Sequence, residues 1–199
     1  MRLLLATANP HKVEEITALL AGMPVAIATT HDFPGGPQVD ESGATYEANA
    51  VLKARAWAAH SGLVTLADDS GLEVETLRGR PGVRSNRYAP TNDERIRGIL
   101  HEMEGVEEAR RTARFVCVMA LAQPNGAVAT RRGVCEGRIA LAPAGQGGFG
   151  YDPIFFLPDR GVTMAQLSAV EKNLISHRAR AAQAIAPFIL ALGRESRIG

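Results

Sequence analysis

Four apolar residues, Leu3–Ala6, run directly into Thr7-Ala8-Asn9-Pro10-His11-Lys12. An apolar run that short reads as a buried strand. Asn is favoured at a helix N-cap and Pro at the first helical position, so a helix should begin at Asn9-Pro10. Val13, Ile16, Leu19 and Leu20 give that helix an apolar stripe, and Gly22 should stop it. A strand that passes at once into an amphipathic helix commits the chain to a layered fold, with helices packed on a sheet. The rest of the chain continues the pattern. Val25–Ala28, Leu63–Ala67, Leu72–Thr76 and Ile154–Leu157 read as strands. Thr45–His60, ended by Gly62, and Asn92–Met103 read as helices. Arg114–Ala122 and Ala127–Ile139 are β-like runs joined through Pro124-Asn125-Gly126, a hairpin signal. Ser168 with Glu171 fits a capping box for a short helix, and a last helix runs from Ser176 to about Leu192 across Pro187. Strands and helices do not alternate cleanly, so the sheet should be mixed.

Composition narrows the function classes. The chain has 199 residues, 46% hydrophobic and 22% charged, which is ordinary globular composition and fits one domain over residues 1–199. Formal net charge is +1, so no overall field attracts a nucleic-acid backbone, although basic residues gather at Arg78–Arg87, Arg110–Arg114 and Arg178–Arg180. Cys117 and Cys135 belong to no C-x-x-C pattern and read as buried thiols of a reducing compartment. No stretch approaches the ~20 apolar residues that span a membrane, and the N-terminal run is too short for a signal peptide. The expectation is a cytoplasmic soluble protein with no membrane and no stable nucleic-acid partner.

Five polar segments could carry chemistry. Thr7–Lys12 places a tight turn at a helix N-terminus, where backbone N–H groups and the helix dipole suit a phosphate. It is not a G-x-x-x-x-G-K-[ST] loop. Asp68-Asp69-Ser70-Gly71 follows an apolar strand, and adjacent carboxylates there call for a cation or hydrogen bonds. Mg²⁺ takes one or two carboxylates and shares phosphate oxygens with its substrate. Asp40-Glu41-Ser42-Gly43 leads into the helix carrying Asn49 and Lys53, which share a face. Lys53 could reach a phosphate and Glu41 could complete a metal shell. Gly147-Gly148-Phe149-Gly150-Tyr151-Asp152-Pro153 offers an aromatic ring to a planar base and a carboxylate to its edge. Glu171-Lys172-Asn173 is followed by Ser176-His177-Arg178, where His177 and Arg178 are donors suited to purine carbonyls. Each segment also has a plain structural reading, as a cap, a turn or surface charge. Together they describe a nucleotide site whose nucleophile is water, because no Ser-His-Asp set or activated cysteine accompanies them.

The motifs TANPHK (7–12), ESGATYEANAVLKA (41–54), ADDSGLEV (67–74), PGVRSNRYA (81–89), GGFGYDPIF (147–155) and EKNLISHR (171–178) resemble, in order, those of the inosine triphosphate pyrophosphatases, the RdgB-like XTP/dITP diphosphatases. The resemblance implies an elongated α/β protein with a central mixed sheet flanked by helices and two lobes around a substrate cleft. It also implies a homodimer and Mg²⁺-dependent hydrolysis of ITP, dITP and XTP to monophosphate and pyrophosphate. Carried over by position, the segment Thr7, Ala8, Asn9, Pro10, His11 and Lys12 holds the triphosphate with Lys53. Glu41 and Asp69 organise the metal, Asp69 also accepts the proton of the attacking water, and Asp68 supports that shell. Ser70 contacts substrate. Phe149 stacks on the purine, Gly150, Tyr151 and Asp152 line its pocket, and Lys172, His177 and Arg178 meet the base. The alternatives are a pyrophosphatase for modified pyrimidine nucleotides and a non-catalytic nucleotide- or RNA-binding module, for which Arg78–Arg87 is the best feature.

Overall fold

The computed structural model describes residues 1–195. Twelve helices and strands position the site. They are β1 (Arg2–Leu5), α1 (Pro10–Leu19), β2 (Ala26–Thr29), α2 (Tyr46–Ser61), β3 (Val64–Val74), α3 (Asn92–Glu102), β4 (Thr112–Ala122), β5 (Val128–Ile139), β6 (Phe155–Leu157), β7 (Val162–Thr163), α4 (Ala169–Ile175) and α5 (His177–Glu195). The strands form one mixed sheet in the order β2-β1-β3-β4-β5-β6-β7. β1 runs parallel to both β2 and β3, with Leu4 opposite Ala28 on one side and Thr65 on the other. β6 is antiparallel to β5 and β7. The fold is the mixed α/β arrangement expected from the sequence.

Local signals explain the boundaries. Asn9 caps α1, Thr45 caps α2, and Thr91 with Glu94 forms a capping box on α3, as Ser168 with Glu171 does on α4. Gly62 closes α2 in the left-handed conformation, φ 68°. The β4–β5 turn is held by Gln123 N–H to Ala127 O at 2.9 Å, with Gly126 at φ 91°.

One boundary differs from expectation. The sequence predicts two strands separated by a polar break at Asp68–Gly71, whereas β3 runs unbroken from Val64 to Val74. Asp68 and Asp69 are both buried within it. Their side chains have ionic and hydrogen-bonding partners, so the strand continues where charge alone argues for a turn.

The chain divides into two compact units, each built from separated segments. The first comprises Met1–Asp69, Cys117–Gly133 and the chain from Arg178 onward; the second comprises Ser70–Val116 and Val134–His177. Each has its own apolar core. Leu3, Leu5, Ile16, Leu66, Met119 and Ile185 centre the first. Leu72, Ile99, Met103, Phe115, Phe155 and Met164 centre the second. Cys117 and Cys135 are both buried, one in each core. Among the described residues no helix is long and apolar enough to cross a membrane.

Candidate active site

In the first unit, β1 delivers the chain to α1 through Thr7–Asn9. Asn9 Oδ1 accepts from the backbone N–H groups of His11 (3.0 Å) and Lys12 (3.4 Å), and Thr7 Oγ1 accepts from Asn9 N–H at 3.2 Å. Pro10 has no N–H. The His11 and Lys12 N–H groups, which the sequence offered to an anion, are therefore engaged by Asn9, and the Asn9 N–H by Thr7. The segment keeps the Asn9 amide, the Thr7 hydroxyl and the dipole of α1 for a ligand.

Lys12 turns inward rather than outward. Its Nζ lies 2.9 Å from Asp68 Oδ2, and both side chains are buried. Arg178, at the start of α5, reaches the same oxygen at 3.3 Å and donates to Glu15 Oε2 at 2.6 Å. Its residue is 1% exposed. The sequence places Arg178 at the base; the structure places its guanidinium among the acidic groups of the first unit. Burial alone would raise the Asp68 carboxyl, but the charges of Lys12, Arg178 and Lys53 outweigh it and hold the group well below the usual carboxylate range. Asp68 is a fixed anion that anchors two cations. It also leaves Cys117 a poor nucleophile: burial, with the Asp68 charge beside it, pushes that thiol up to about 12.

Asp69 lies in a different environment. Asn49 Nδ2 donates to Asp69 Oδ2 at 2.9 Å, while Asn49 Oδ1 accepts from Gly43 N–H at 2.8 Å. Burial raises the Asp69 carboxyl, and Glu41 adds to the rise. Asn49, Lys53 and Lys12 oppose it without cancelling it. Lys53 Nζ sits 3.1 Å from Glu41 Oε1 and donates to the Asp68 carbonyl oxygen at 2.6 Å. Two adjacent carboxylates thus receive opposite shifts, Asp68 downward and Asp69 upward. A cavity of about 620 Å³ opens beside Thr7, Ala8, Glu41 and Lys53, walled by residues of the Thr30–Val39 loop and by Trp57.

Among the described residues no three His, Cys, Asp or Glu side chains converge into a metal cage. The donor set is a pair of carboxylates, Glu41 and Asp69, close enough that one raises the proton affinity of the other. Asp68 Oδ1 is also buried with no hydrogen-bond partner among the described residues. This set suits Mg²⁺, which completes its shell with water and substrate phosphate, and does not suit a metal that needs an all-protein cage.

The second unit holds the aromatic segment. Asp152 Oδ2 accepts from Phe149 N–H at 2.9 Å and from Lys172 Nζ at 2.5 Å, and both charged residues are buried. Lys172 Nζ lies 5.0 Å from the centre of the Phe149 ring. A Cβ on Gly148 would come within 2.0 Å of Asp152 Oδ2, so a glycine is required for this turn to close on its carboxylate. Phe149 and Gly150 are half-buried and Phe149 belongs to neither core. Tyr151 serves the fold, since its hydroxyl donates to Ser85 O at 2.9 Å and burial raises its pKa. The His177 ring stacks on Phe115, centroids 4.8 Å apart, and Ser70 is half-buried on β3.

Two contributors were not placed in the site by sequence. Asn49 was visible only as the partner of Lys53 one helical turn on, and Glu15 follows Lys12 by three residues on α1 without any motif.

This geometry matches a known family. A Ham1 family profile matches residues 3–188. The chain belongs to the Ham1 family. A relative from Geobacillus kaustophilus named dITP/XTP pyrophosphatase is 50% identical over 182 residues, covering 90% of this chain and 89% of its own. One of the same name from Symbiobacterium thermophilum is 51% identical over 181 residues, covering 90% of each. Among solved structures, a HAM1 protein from Coxiella burnetii superposes with a TM-score of 0.86 at 40% identity, covering 95% of this chain and 98% of that one. The nucleoside-triphosphatase / dITP/XTP pyrophosphatase from Mycobacterium abscessus gives 0.76 at 39% identity, with 94% and 100% covered.

Proposed function

We propose that this Ham1 protein is a dITP/XTP pyrophosphatase that also accepts ITP, releasing the nucleoside monophosphate and pyrophosphate. The observation that carries the chemistry is the contrast at Asp68-Asp69. One carboxylate is fixed as an anion by Lys12 and Arg178, and its neighbour has a raised proton affinity. Asp69 accepts a proton from the water that attacks the α-phosphorus. The new bond forms from that water, the bond to the bridging oxygen breaks, and pyrophosphate leaves. Glu41 and Asp69 are the residues that would hold Mg²⁺. When bound, the ion supplies charge to offset the phosphate oxygens and stabilise the leaving group.

Binding is an exchange of partners. Lys12, Lys53 and Lys172 are each already paired with a carboxylate, Asp68, Glu41 and Asp152 respectively. A triphosphate entering beside Thr7 and Asn9 competes with Glu41 for Lys53, and the released Glu41 becomes available to the metal. Phe149 stacks on the base, and Asp152, fixed by Lys172, meets its edge with Gly150. His177 and Lys172 favour a 6-oxo group, since a 6-amino group would set donor against donor. Arg178 acts through Asp68 rather than on the base. Two copies of the chain associate, as the resemblance implies, and light scattering should give twice the chain mass.

The basic segment favoured by an RNA-binding reading has other work. Arg80 pairs with Glu102, and Ser85 is tied to Leu72 and Tyr151. Pyrophosphate release with Mg²⁺ should be fastest from XTP, dITP and ITP and slow from ATP and dUTP. Faster turnover of dUTP or a methylated UTP would replace the purine reading, and no turnover of any of them would remove the enzyme reading.

A further inference from the structure

The segment Gly36–Gly43 carries Glu41, and it touches one face of α2 at three points. Asn49, Lys53 and Trp57 are spaced four apart, so they stand in a row on that helix. At one end, Gly43 N–H donates to Asn49 Oδ1 at 2.8 Å, and a Cβ on Gly43 would lie 2.6 Å from the same oxygen. In the middle, Glu41 Oε1 meets Lys53 Nζ at 3.1 Å. At the other end, a Cβ on Gly36 would lie 2.1 Å from Trp57 Cη2 and 2.5 Å from Cζ3. The Gly36 backbone therefore rests directly on the indole ring. That end of the contact faces the cavity lined by Thr7, Ala8, Glu41 and Lys53.

We infer that Gly36 and Trp57 are positioning residues that set the placement of Glu41 for the metal. Neither touches the reacting atoms. The middle contact of the three is the one that metal and nucleotide binding act on, because the metal would draw on Glu41 and the phosphates on Lys53. When that pair opens, the Gly36–Trp57 and Gly43–Asn49 contacts remain and keep Glu41 from drifting away with its loop. A metal site built from only two protein carboxylates is sensitive to such placement, since no third ligand restores a displaced one. The inference rests on the proposed assignment of Glu41 to Mg²⁺.

The test uses the whole 199-residue chain. Trp57 is the sole tryptophan, so its emission reports on this contact without a label. Titrating Mg²⁺ in the presence of inorganic pyrophosphate should change Trp57 emission in the parent protein. By calorimetry, Gly36→Ala should weaken Mg²⁺ binding under those conditions by about tenfold, because an overpacked contact displaces the loop. Its nucleotide KM at saturating Mg²⁺ should stay within about twofold, because Thr7, Asn9 and Lys12, assigned to the phosphates, lie outside the altered Gly36–Trp57 contact. Adding Trp57→Phe to Gly36→Ala removes the atoms that the new methyl meets and should recover most of the loss. Trp57→Ala, which makes room instead of a clash, carries the same test if Gly36→Ala lowers Tm too far, and it too should weaken Mg²⁺ binding. Unchanged Mg²⁺ affinity in both single variants, or a raised nucleotide KM at saturating Mg²⁺, overturns the inference. Failure of the parent protein to hydrolyse XTP would instead overturn the assigned activity, so the two failures are told apart.

Discussion

Asp68 and Asp69 are consecutive carboxylates with opposite consequences for stability and activity. Asp68 is buried between Lys12 and Arg178, and its pKa is depressed. Asp68→Asn leaves two buried cations under-compensated and should destabilise the protein by roughly 3–5 kcal/mol, read as a drop in Tm. Because the folded pKa lies below the unfolded one, this contribution is complete above pH ~3.9 and is lost as pH falls toward the folded value. Asp69 has the reverse sign. Its raised pKa means that burying the ionised form costs stability at neutral pH, so Asp69→Asn should leave Tm unchanged or slightly higher while abolishing turnover. Near-parental kcat in Asp69→Asn would remove its role as base. The acid limb of kcat/KM should fall above the ordinary aspartate value of ~3.9, since the base must lose a more tightly held proton. Phe149, outside both cores and half-exposed, has surface to offer a base. Phe149→Ala should raise KM by the equivalent of roughly 1–3 kcal/mol of stacking with little change in Tm. An unchanged KM with a lower Tm would mark it as a packing residue.

At the scale of elements, α2 carries much of the active-site geometry, because Asn49 and Lys53 reach Asp69, Glu41 and the Asp68 carbonyl from one face. Its C-terminal cap, Gly62, adopts φ 68°, and a Cβ there would meet nothing within 4 Å. Gly62→Ala therefore costs only backbone strain, about 1–2 kcal/mol by chemical denaturation, with kcat unchanged. A loss of kcat would show that the cap transmits to Lys53. The helices were legible because their caps are local: Asn9, Thr45, Thr91 and Ser168 each act on residues two or three positions on. β3 was not legible as one strand. What carries Asp68 and Asp69 through it comes from Lys12, Asn49 and Arg178, up to 110 positions distant in sequence. The same distance explains the revised place of Arg178. Its motif is local, but its partners Asp68 and Glu15 are set by tertiary structure alone. The two-residue β7 has too little sequence for any periodicity to register.

At the scale of the whole molecule, the chain passes between its two units after Asp69, Val116, Gly133 and His177. Two of these points fall inside functional motifs. Asp69 and Ser70 belong to different units, and so do His177 and Arg178. The residues assigned to the triphosphate and metal, Thr7–Lys12, Glu41, Lys53 and Asp69, all belong to the first unit. Those assigned to the base, Phe149–Asp152, Lys172 and His177, all belong to the second. A division of labour along these lines predicts that the two products protect different amides from hydrogen exchange. Pyrophosphate with Mg²⁺ should slow exchange at Thr7–Lys12 and at Gly43–Lys53, where α2 grips the Glu41 loop. Inosine monophosphate should slow exchange at Phe149–Asp152 and leave the α2 segment nearly unchanged. Protection confined to one unit by both products would mean that the phosphate and base determinants are not divided as assigned. The comparison is informative because pyrophosphate carries no base and inosine monophosphate carries the base with only one phosphate, so amides protected by the second and not the first locate base recognition on the chain.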